Sequence, residues 1–119
     1  MAIKILIVDD EKAILSLLHR ILTKFDFAVD VAESGEEGIH KILKTTYDLI
    51  LTDIKMPGMS GGDLLNYVKV KVDQSLPVIA MSGTPWLFEN SNFDAVIAKP
   101  FSKEELLEVM SRFVQITEP

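Results

Sequence analysis

Near its amino terminus the chain reads Ile3-Lys4-Ile5-Leu6-Ile7-Val8-Asp9-Asp10-Glu11, an apolar run that stops abruptly at three acids. The run is short and rich in β-branched residues, which is typical of a strand buried on both faces of a parallel sheet. Ligand sites in such sheets lie beyond the carboxyl ends of the strands. The acids that follow Val8 are therefore candidates for a functional site.

The same pattern returns along the chain. Residues 27–31, 48–52, 77–81 and 95–98 are further apolar strand candidates. Between them, apolar residues recur at spacings of three and four over residues 12–25 and again near residues 64–68, which predicts amphipathic helices. Capping-box patterns at Ser34 with Glu37 and at Ser102 with Glu105 predict two more helix starts.

This alternation predicts an α/β fold: a doubly wound parallel sheet of five strands, covered by helices on both faces. The stretch from residue 84 to residue 92 is ambiguous. Pro85 and the run Asn90-Ser91-Asn92 leave few residues for full turns, so we expect the fourth helix to be short or irregular.

Composition limits the classes of function. The chain has 119 residues, which fits one domain over residues 1–119, and its formal charge of −6 disfavours binding to nucleic acid by this chain alone. With no Cys, it has no disulfide framework and no thiolate metal site. No apolar run approaches the roughly 18 residues of a membrane span, and no signal pattern is present. We therefore expect a cytoplasmic domain that does not enter a membrane.

Chemically useful side chains follow four of the predicted strands. Asp9 and Asp10 follow the first, Asp53 the third, Ser82 the fourth and Lys99 the fifth. Three carboxylates at one sheet edge repel one another, so the group would take up a proton or bind a cation. Oxygen ligands suit a hard ion, which indicates Mg²⁺ or Mn²⁺.

A more ordinary explanation is that an acid at a strand end caps the next helix. We expect this for Glu11, whereas three strand ends together with Lys99 favour a site. The two histidines, His19 and His40, both fall within amphipathic helices away from the strand ends. We expect them to be surface or boundary histidines.

Four motifs in this order resemble one family, the receiver domain of bacterial two-component response regulators, over essentially the whole chain. They are Val8-Asp9-Asp10-Glu11, the segment Asp53-Ile54-Lys55-Met56-Pro57-Gly58-Met59-Ser60-Gly61, Ser82-Gly83, and Lys99-Pro100-Phe101. The family's fold is the flavodoxin-like (βα)5 arrangement also seen in CheY-like proteins. Each motif alone is weak, and their joint order is specific.

The resemblance implies a signalling domain rather than an enzyme. Asp53 would accept a phosphoryl group from a histidine kinase or a phosphotransfer domain, and the domain would assist this transfer and the later dephosphorylation. Asp10 and Asp53 would hold Mg²⁺ directly, Asp9 through a water, and the backbone carbonyl of Lys55 would complete the protein ligands. The segment from Met56 to Gly61 would shape the site.

The remaining motifs imply contacts to the phosphoryl group. Ser82 would donate a hydrogen bond to a phosphoryl oxygen, Gly83 would leave room for the group, and Lys99 would pair with it as a point charge. The Lys99–Pro100 peptide bond is a candidate for the cis isomer.

The chain also departs from the family's usual pattern. Val96 stands where family members commonly carry a Tyr or Phe whose ring changes rotamer, and Ser82 and Lys99 are only 17 positions apart. The aromatic residues of this short connection either fill the space of a longer helix or form an exposed patch for an unidentified downstream partner. The candidate output surface consists of Trp86, Phe88, Phe93, Val96 and Phe101.

Three other functions remain as alternatives. A flavodoxin-like electron carrier shares the topology, but Asp9, Asp10 and Glu11 would repel the phosphate of a flavin. A hydrolase with a nucleophilic Asp generally carries a cap, for which 119 residues leave little length. An interaction module that is never phosphorylated would not need the complete acidic set, Ser82 and Lys99.

Overall fold

The computed structural model describes residues 2–117. Its centre is a five-stranded parallel sheet with the strand order β2-β1-β3-β4-β5. The strands are β1 (Lys4–Val8), β2 (Ala28–Ala32), β3 (Leu49–Asp53), β4 (Val78–Ser82) and β5 (Ala95–Ala98). This confirms the expected sheet, with the predicted strand boundaries shifted by at most one residue at either end.

Four α-helices cover the sheet. They are α1 (Lys12–Thr23), α2 (Gly35–Lys44), α3 (Gly61–Tyr67) and α4 (Lys103–Met110). A wider π-type turn, Val68–Val72, continues α3. The connection from β4 to β5 contains a single 3₁₀ turn, Pro85–Phe88. This confirms that the helix expected between these two strands is short and irregular.

Alternate residues of each strand point to opposite faces of the sheet, and each face has its own core. On one face Ile5, Leu51 and Met81 pack with α1 and α4. On the other face Leu6 and Ile50 pack with α2 and α3. Since both faces are covered, the three central strands β1, β3 and β4 are buried and largely apolar, which is why they read as nearly continuous apolar runs in the sequence.

The helix starts differ in part from the sequence expectations. Ser102 and Glu105 form the predicted reciprocal capping box. At α2 the Ser34 hydroxyl does accept from the Glu37 N–H, but the Glu37 carboxylate accepts from the N–H of Glu33 instead of that of Ser34. The predicted box at Ser34 is therefore wrong in its second half, because the chain turns so that the N–H of residue 33 lies nearer.

Two helix boundaries also differ from the sequence expectations. The helix α1 ends at Thr23, before the predicted end at residue 25, because Asp26 adopts a left-handed backbone with φ 66°. Ser60 and Asp63 form a reciprocal capping box that starts α3, which the turn-rich sequence there did not reveal. Within residues 2–117, no helix combines the length and the apolar character that crossing a membrane requires.

Candidate functional site

The strand register brings the predicted site residues to one edge of the sheet. Val8 pairs with Thr52, Asp53 with Met81, and Ser82 with Ala98, so the carboxyl ends of four strands lie level. The chain leaves β1 toward β2 on one side, whereas β3 lies on the other side. Ligands bind at such a switch point in open α/β sheets.

Three carboxylates meet at this point. One oxygen from each of Asp9, Asp10 and Asp53 lies within 4.8 Å of the other two. Asp9 is fully buried, Asp53 is nearly so, and Asp10 is exposed. All the donors are hard oxygens with an open side toward solvent, and this set fits Mg²⁺, which keeps several waters in its shell.

Lys99 supplies the positive charge of the site. Its Nζ lies 3.4 Å from Asp9 Oδ2 and 3.2 Å from Asp53 Oδ1. Burial disfavours the charged ammonium, but the carboxylates of Asp9 and Asp53 outweigh burial and raise the pKa of Lys99 above its ordinary value. Lys99 is therefore charged at neutral pH and bridges the two buried acids.

The carboxylate of Asp9 is buried and therefore loses its contacts with water. Burial raises its pKa above the ordinary value, although the N–H of Glu11 and the ammonium of Lys99 act in the opposite direction. The N–H of Glu11 donates to Asp9 Oδ1 over 2.9 Å. Glu11 occupies the N-cap position of α1, but its side chain makes no capping hydrogen bond, so the expected capping role is wrong.

The backbone around Asp53 is fixed by its neighbours. The N–H of Ile54 donates to Asp53 Oδ1 over 2.9 Å, and the Thr52 hydroxyl donates to the Asp53 carbonyl over 2.8 Å. The N–H of Gly61 donates to the Ile54 carbonyl over 2.8 Å and closes the loop that follows β3. A Cβ at Gly61 would lie 2.3 Å from the Asp53 carbonyl oxygen, so only glycine fits there.

A small cleft of about 180 Å³ opens beside Asp53. In it the Ser82 Oγ accepts a hydrogen bond from the Thr84 N–H over 3.0 Å and lies 3.4 Å from the Thr84 hydroxyl oxygen. A Cβ built at Gly83 would meet no atom within 4 Å, so the space beside Gly83 is open. The cleft is lined by Asp53, Ile54, Lys55, Ser82, Gly83, Thr84 and Lys99.

Sequence reasoning missed one residue of this site, Thr84, which lines the cleft and orients Ser82. The position of Thr84 directly after Ser82-Gly83 is the one signal that could have identified it. Gly61 was placed in the segment expected to shape the site, but the sequence did not show that Gly61 allows α3 to approach Asp53.

The aromatic residues of the connection between β4 and β5 differ in burial. Phe88 and Phe93 are half-buried and meet edge to face with ring centroids 6.4 Å apart, so they fill space. Trp86 is 64% exposed and is available for contact with a partner. Val96 and Phe101 are half-buried.

The other sequence expectations concern single residues. The Lys99–Pro100 peptide bond is cis. His19 and His40 are exposed on α1 and α2, as expected, and neither lines the cleft.

A parallel sheet thus gathers three carboxylates, a hydroxyl and a lysine at its carboxyl edge, a set of side chains whose chemistry suits a divalent cation beside an anionic group. Comparison with known proteins agrees. Residues 5–111 match the family model for the response regulator receiver domain. The chain belongs to this family and is a signalling domain of the two-component type.

Individual relatives support the assignment. The chain is 38% identical over 112 residues to the transcriptional regulatory protein ResD of Bacillus subtilis, covering 87% of this chain and 45% of that protein. It is 31% identical to sporulation initiation phosphotransferase F of the same organism, covering 95% of this chain and 94% of that protein. The chain thus spans about half the length of ResD, but nearly all of the second relative.

A solved structure gives the same result. The response regulator TrrA of Thermotoga maritima, crystallised in complex with Mg²⁺ and BeF, is 30% identical and superposes with a TM-score of 0.86. The match covers 94% of this chain and 99% of that chain. The family assignment favours the receiver interpretation over an electron carrier or a hydrolase.

Proposed function

We propose that Asp53 is the phosphoryl acceptor of this receiver domain. The observation that carries the proposal is the position of Asp53, which lies within reach of the Asp9 and Asp10 carboxylates and lines one small cleft with Ser82 and Lys99. A carboxylate oxygen of Asp53 would form a bond to phosphorus while the bond from phosphorus to the donor's leaving atom breaks and the leaving group keeps the electron pair. With a phosphohistidine donor, the leaving atom is an imidazole nitrogen.

The chain's own residues would position and neutralise the group. Lys99 lies beside Asp53 and would exchange its contact with the carboxylate for one with a phosphoryl oxygen. The Ser82 hydroxyl, whose oxygen is already engaged by Thr84, would donate its proton to a second phosphoryl oxygen. Asp53 would keep its orientation through the N–H of Ile54.

A divalent cation would be held by Asp10 and Asp53 directly, by Asp9 through a water, and by the carbonyl of Lys55. Mg²⁺ is the proposed ion and Mn²⁺ an accepted substitute, since both prefer oxygen ligands. When bound, the ion supplies positive charge that offsets the repulsion between the carboxylates and the incoming phosphoryl group. The same site would assist hydrolysis of the acyl phosphate, which resets the signal.

The wider role follows from the family. Residues 1–119 would form one receiver domain that takes its phosphoryl group from a sensor histidine kinase or a histidine phosphotransfer domain in the cytoplasm. The output would go to a downstream protein through the surface of Trp86, Phe88, Phe93, Val96 and Phe101. No direct contact with nucleic acid or membrane by this chain is proposed.

Intact mass after incubation with acetyl phosphate and Mg²⁺ tests the acceptor. Wild type should gain one phosphoryl unit, and Asp53→Asn should gain none. Asp26→Asn is the matched control, because Asp26 is an exposed aspartate in the turn after α1 and should not alter labelling. Equal labelling of Asp53→Asn and wild type would refute the assignment, and chelation of the cation should abolish labelling of both wild type and control.

A further inference from the structure

The connection between β4 and β5 is attached to the rest of the protein mainly at its two ends. Within the described chain, the hydrogen bonds that residues 84–93 make from backbone to backbone stay inside the segment, from Leu87 to Thr84 and from Ser91 to Phe88. Phe93 adds packing against the core that lies beneath α2 and α3. An element with so few bonds to its surroundings can be displaced at a small cost in free energy.

The near end of this segment lies in the phosphoryl cleft. The Thr84 N–H donates to Ser82 Oγ over 3.0 Å, and the two side-chain hydroxyls lie 3.4 Å apart. A ligand that draws the Ser82 hydroxyl toward Asp53 therefore acts directly on the first residue of the segment.

The far end is anchored by Asp94. One oxygen, Oδ2, accepts from the Val78 N–H over 2.8 Å and from Lys69 Nζ over 2.9 Å. The Asp94 N–H donates in turn to the Val78 carbonyl over 3.0 Å. Asp94 and Val78 lie at the amino ends of β5 and β4, so this anchor is at the sheet edge opposite Asp53, about 13 Å away along a five-residue strand.

Lys69 connects three parts of the fold at this edge. Besides Asp94, its ammonium donates to the carbonyls of Gln74 over 3.0 Å and Leu76 over 2.7 Å, so all three of its donors have partners. Its side chain is only 17% exposed. One partly buried charge thus joins the turn that continues α3, the entry to β4 and the end of the β4–β5 segment.

We infer that the Lys69–Asp94 ion pair is a positioning device that holds the far end of residues 84–93 in the resting arrangement. The inference rests on the proposed function, because the signal enters at the Ser82 end of the same segment. The apolar contact of Phe88 with Phe93 tolerates sliding, whereas a charge pair with several shared donors has one favourable geometry. The Lys69–Asp94 ion pair therefore determines the free energy needed to move residues 84–93 out of the resting arrangement.

Binding at the phosphoryl cleft and movement of the segment are then thermodynamically linked. When a ligand binds better to the moved arrangement, the free energy needed to disrupt the resting arrangement of residues 84–93 is subtracted from its binding free energy. Loss of the Lys69 ammonium weakens the resting arrangement, so a phosphoryl mimic should bind more tightly at the other edge of the sheet.

Beryllofluoride with Mg²⁺ is the probe, and its apparent Kd is measured both by Trp86 fluorescence and by calorimetry. Lys69→Met keeps the aliphatic stem and removes the charge; it should lower the Kd about three- to tenfold. Lys71→Met is the matched control, because Lys71 is an exposed lysine in the same turn, and no ion pair involving it is found among residues 2–117. Its Kd should stay within about twofold of the wild-type value.

A second variant guards against misfolding. Asp94→Asn keeps an oxygen acceptor for the Val78 N–H and removes the charge that Lys69 meets, so it should also tighten binding. If circular dichroism shows that Lys69→Met is unfolded, Asp94→Asn decides the question. An unchanged or weakened affinity in a folded variant overturns the inference while leaving the acceptor role of Asp53 intact. If wild type fails to bind the mimic, or Asp53→Asn binds it equally well, the proposed function falls and the inference with it.

Discussion

The acidic edge of β1 and β3 and the connection from β4 to β5 are neighbours in space but are held in opposite ways. Asp9 and Asp53 are buried, and each carboxylate accepts a backbone N–H from a residue at most two positions away. In the connection, Trp86 and Leu87 are 64% and 65% exposed and belong to a single 3₁₀ turn.

Under the proposed function, this difference separates the region that accepts the phosphoryl group from the region that moves to transmit the signal. Transfer of a phosphoryl group depends on fixed positions of the reacting groups, which a buried, hydrogen-bonded edge provides. A signal needs an element that moves at small cost, which the lightly bonded connection provides. Ser82 links the two regions, since it lines the cleft beside Asp53 and accepts the Thr84 N–H.

The largest expected contrast between the two regions is in hydrogen exchange. Amides of β3 should exchange only when the whole domain unfolds, because this strand is central and buried. Amides of residues 84–93 should exchange about a thousandfold faster, through local opening. Exchange followed by mass spectrometry or NMR measures both, and equally slow exchange in the two regions would remove the comparison.

Substitution of Gly61 should damage the rigid region most. In Gly61→Ala the new Cβ would lie 2.3 Å from the Asp53 carbonyl oxygen, so the backbone must shift, at a cost of about 2–4 kcal/mol in unfolding free energy. Urea denaturation measures this change. Gly62→Ala is the control, because its Cβ would meet only the Ser60 hydroxyl at 3.7 Å. Wild-type stability of Gly61→Ala would show that this close approach is not essential.

Removal of the Asp9 charge should stabilise the metal-free protein and weaken its response to Mg²⁺. Burial raises the pKa of Asp9, so the folded protein holds a proton there more readily than the unfolded chain does. The stability from that proton is complete below the ordinary pKa of 3.8 and is lost as pH rises through the folded-state pKa. At neutral pH, Asp9→Asn should therefore raise the Tm of the metal-free protein by a few degrees.

The pH dependence provides the check on this prediction. The advantage of Asp9→Asn in chelator should shrink as pH falls toward the ordinary carboxyl pKa, because the wild-type side chain is then protonated as well. Asp10→Asn should change Tm less, since Asp10 is exposed. If the Tm of Asp9→Asn exceeded that of wild type by more as the pH fell, burial would not be the main influence on the pKa of Asp9.

The smallest expected effect is that of Trp86 on stability. Because its side chain is 64% exposed, Trp86→Ala should change the unfolding free energy by less than about 0.5 kcal/mol. Phe93→Ala should cost more, since Phe93 packs against the core and against Phe88. Urea denaturation followed by circular dichroism compares them, and a large loss in Trp86→Ala would assign that residue to the rigid part of the fold.

Much of this could be predicted because the relevant signals are local. A strand buried on both faces must be continuously apolar, and an acid directly after it can only lie at the carboxyl edge, so Asp9 and Asp53 were recognisable. The short connection was also predictable, since Pro85 and the run of polar residues near Asn90 leave no room for a regular helix.

Other features depend on partners distant in sequence. Lys69 reads as an ordinary surface lysine in a helical pattern, yet its partner Asp94 lies 25 positions away. Gly61 reads as turn chemistry, and only its approach to Asp53 shows why no side chain fits. The left-handed Asp26 and the Glu37–Glu33 contact likewise follow from how the chain turns, which local patterns do not specify.

The sequence by itself determined the order of strands and helices, the two-sided burial of the sheet and the kinds of side chain at its carboxyl edge, since these depend on periodicity and on neighbouring residues. The tertiary structure alone decided which of those side chains touch. Lys99 reaches Asp9 across 90 positions of sequence because β5 and β1 lie in one sheet. Distances, burial and the pKa shifts of Asp9 and Lys99 arise from that packing, because they depend on atoms that no local pattern brings together.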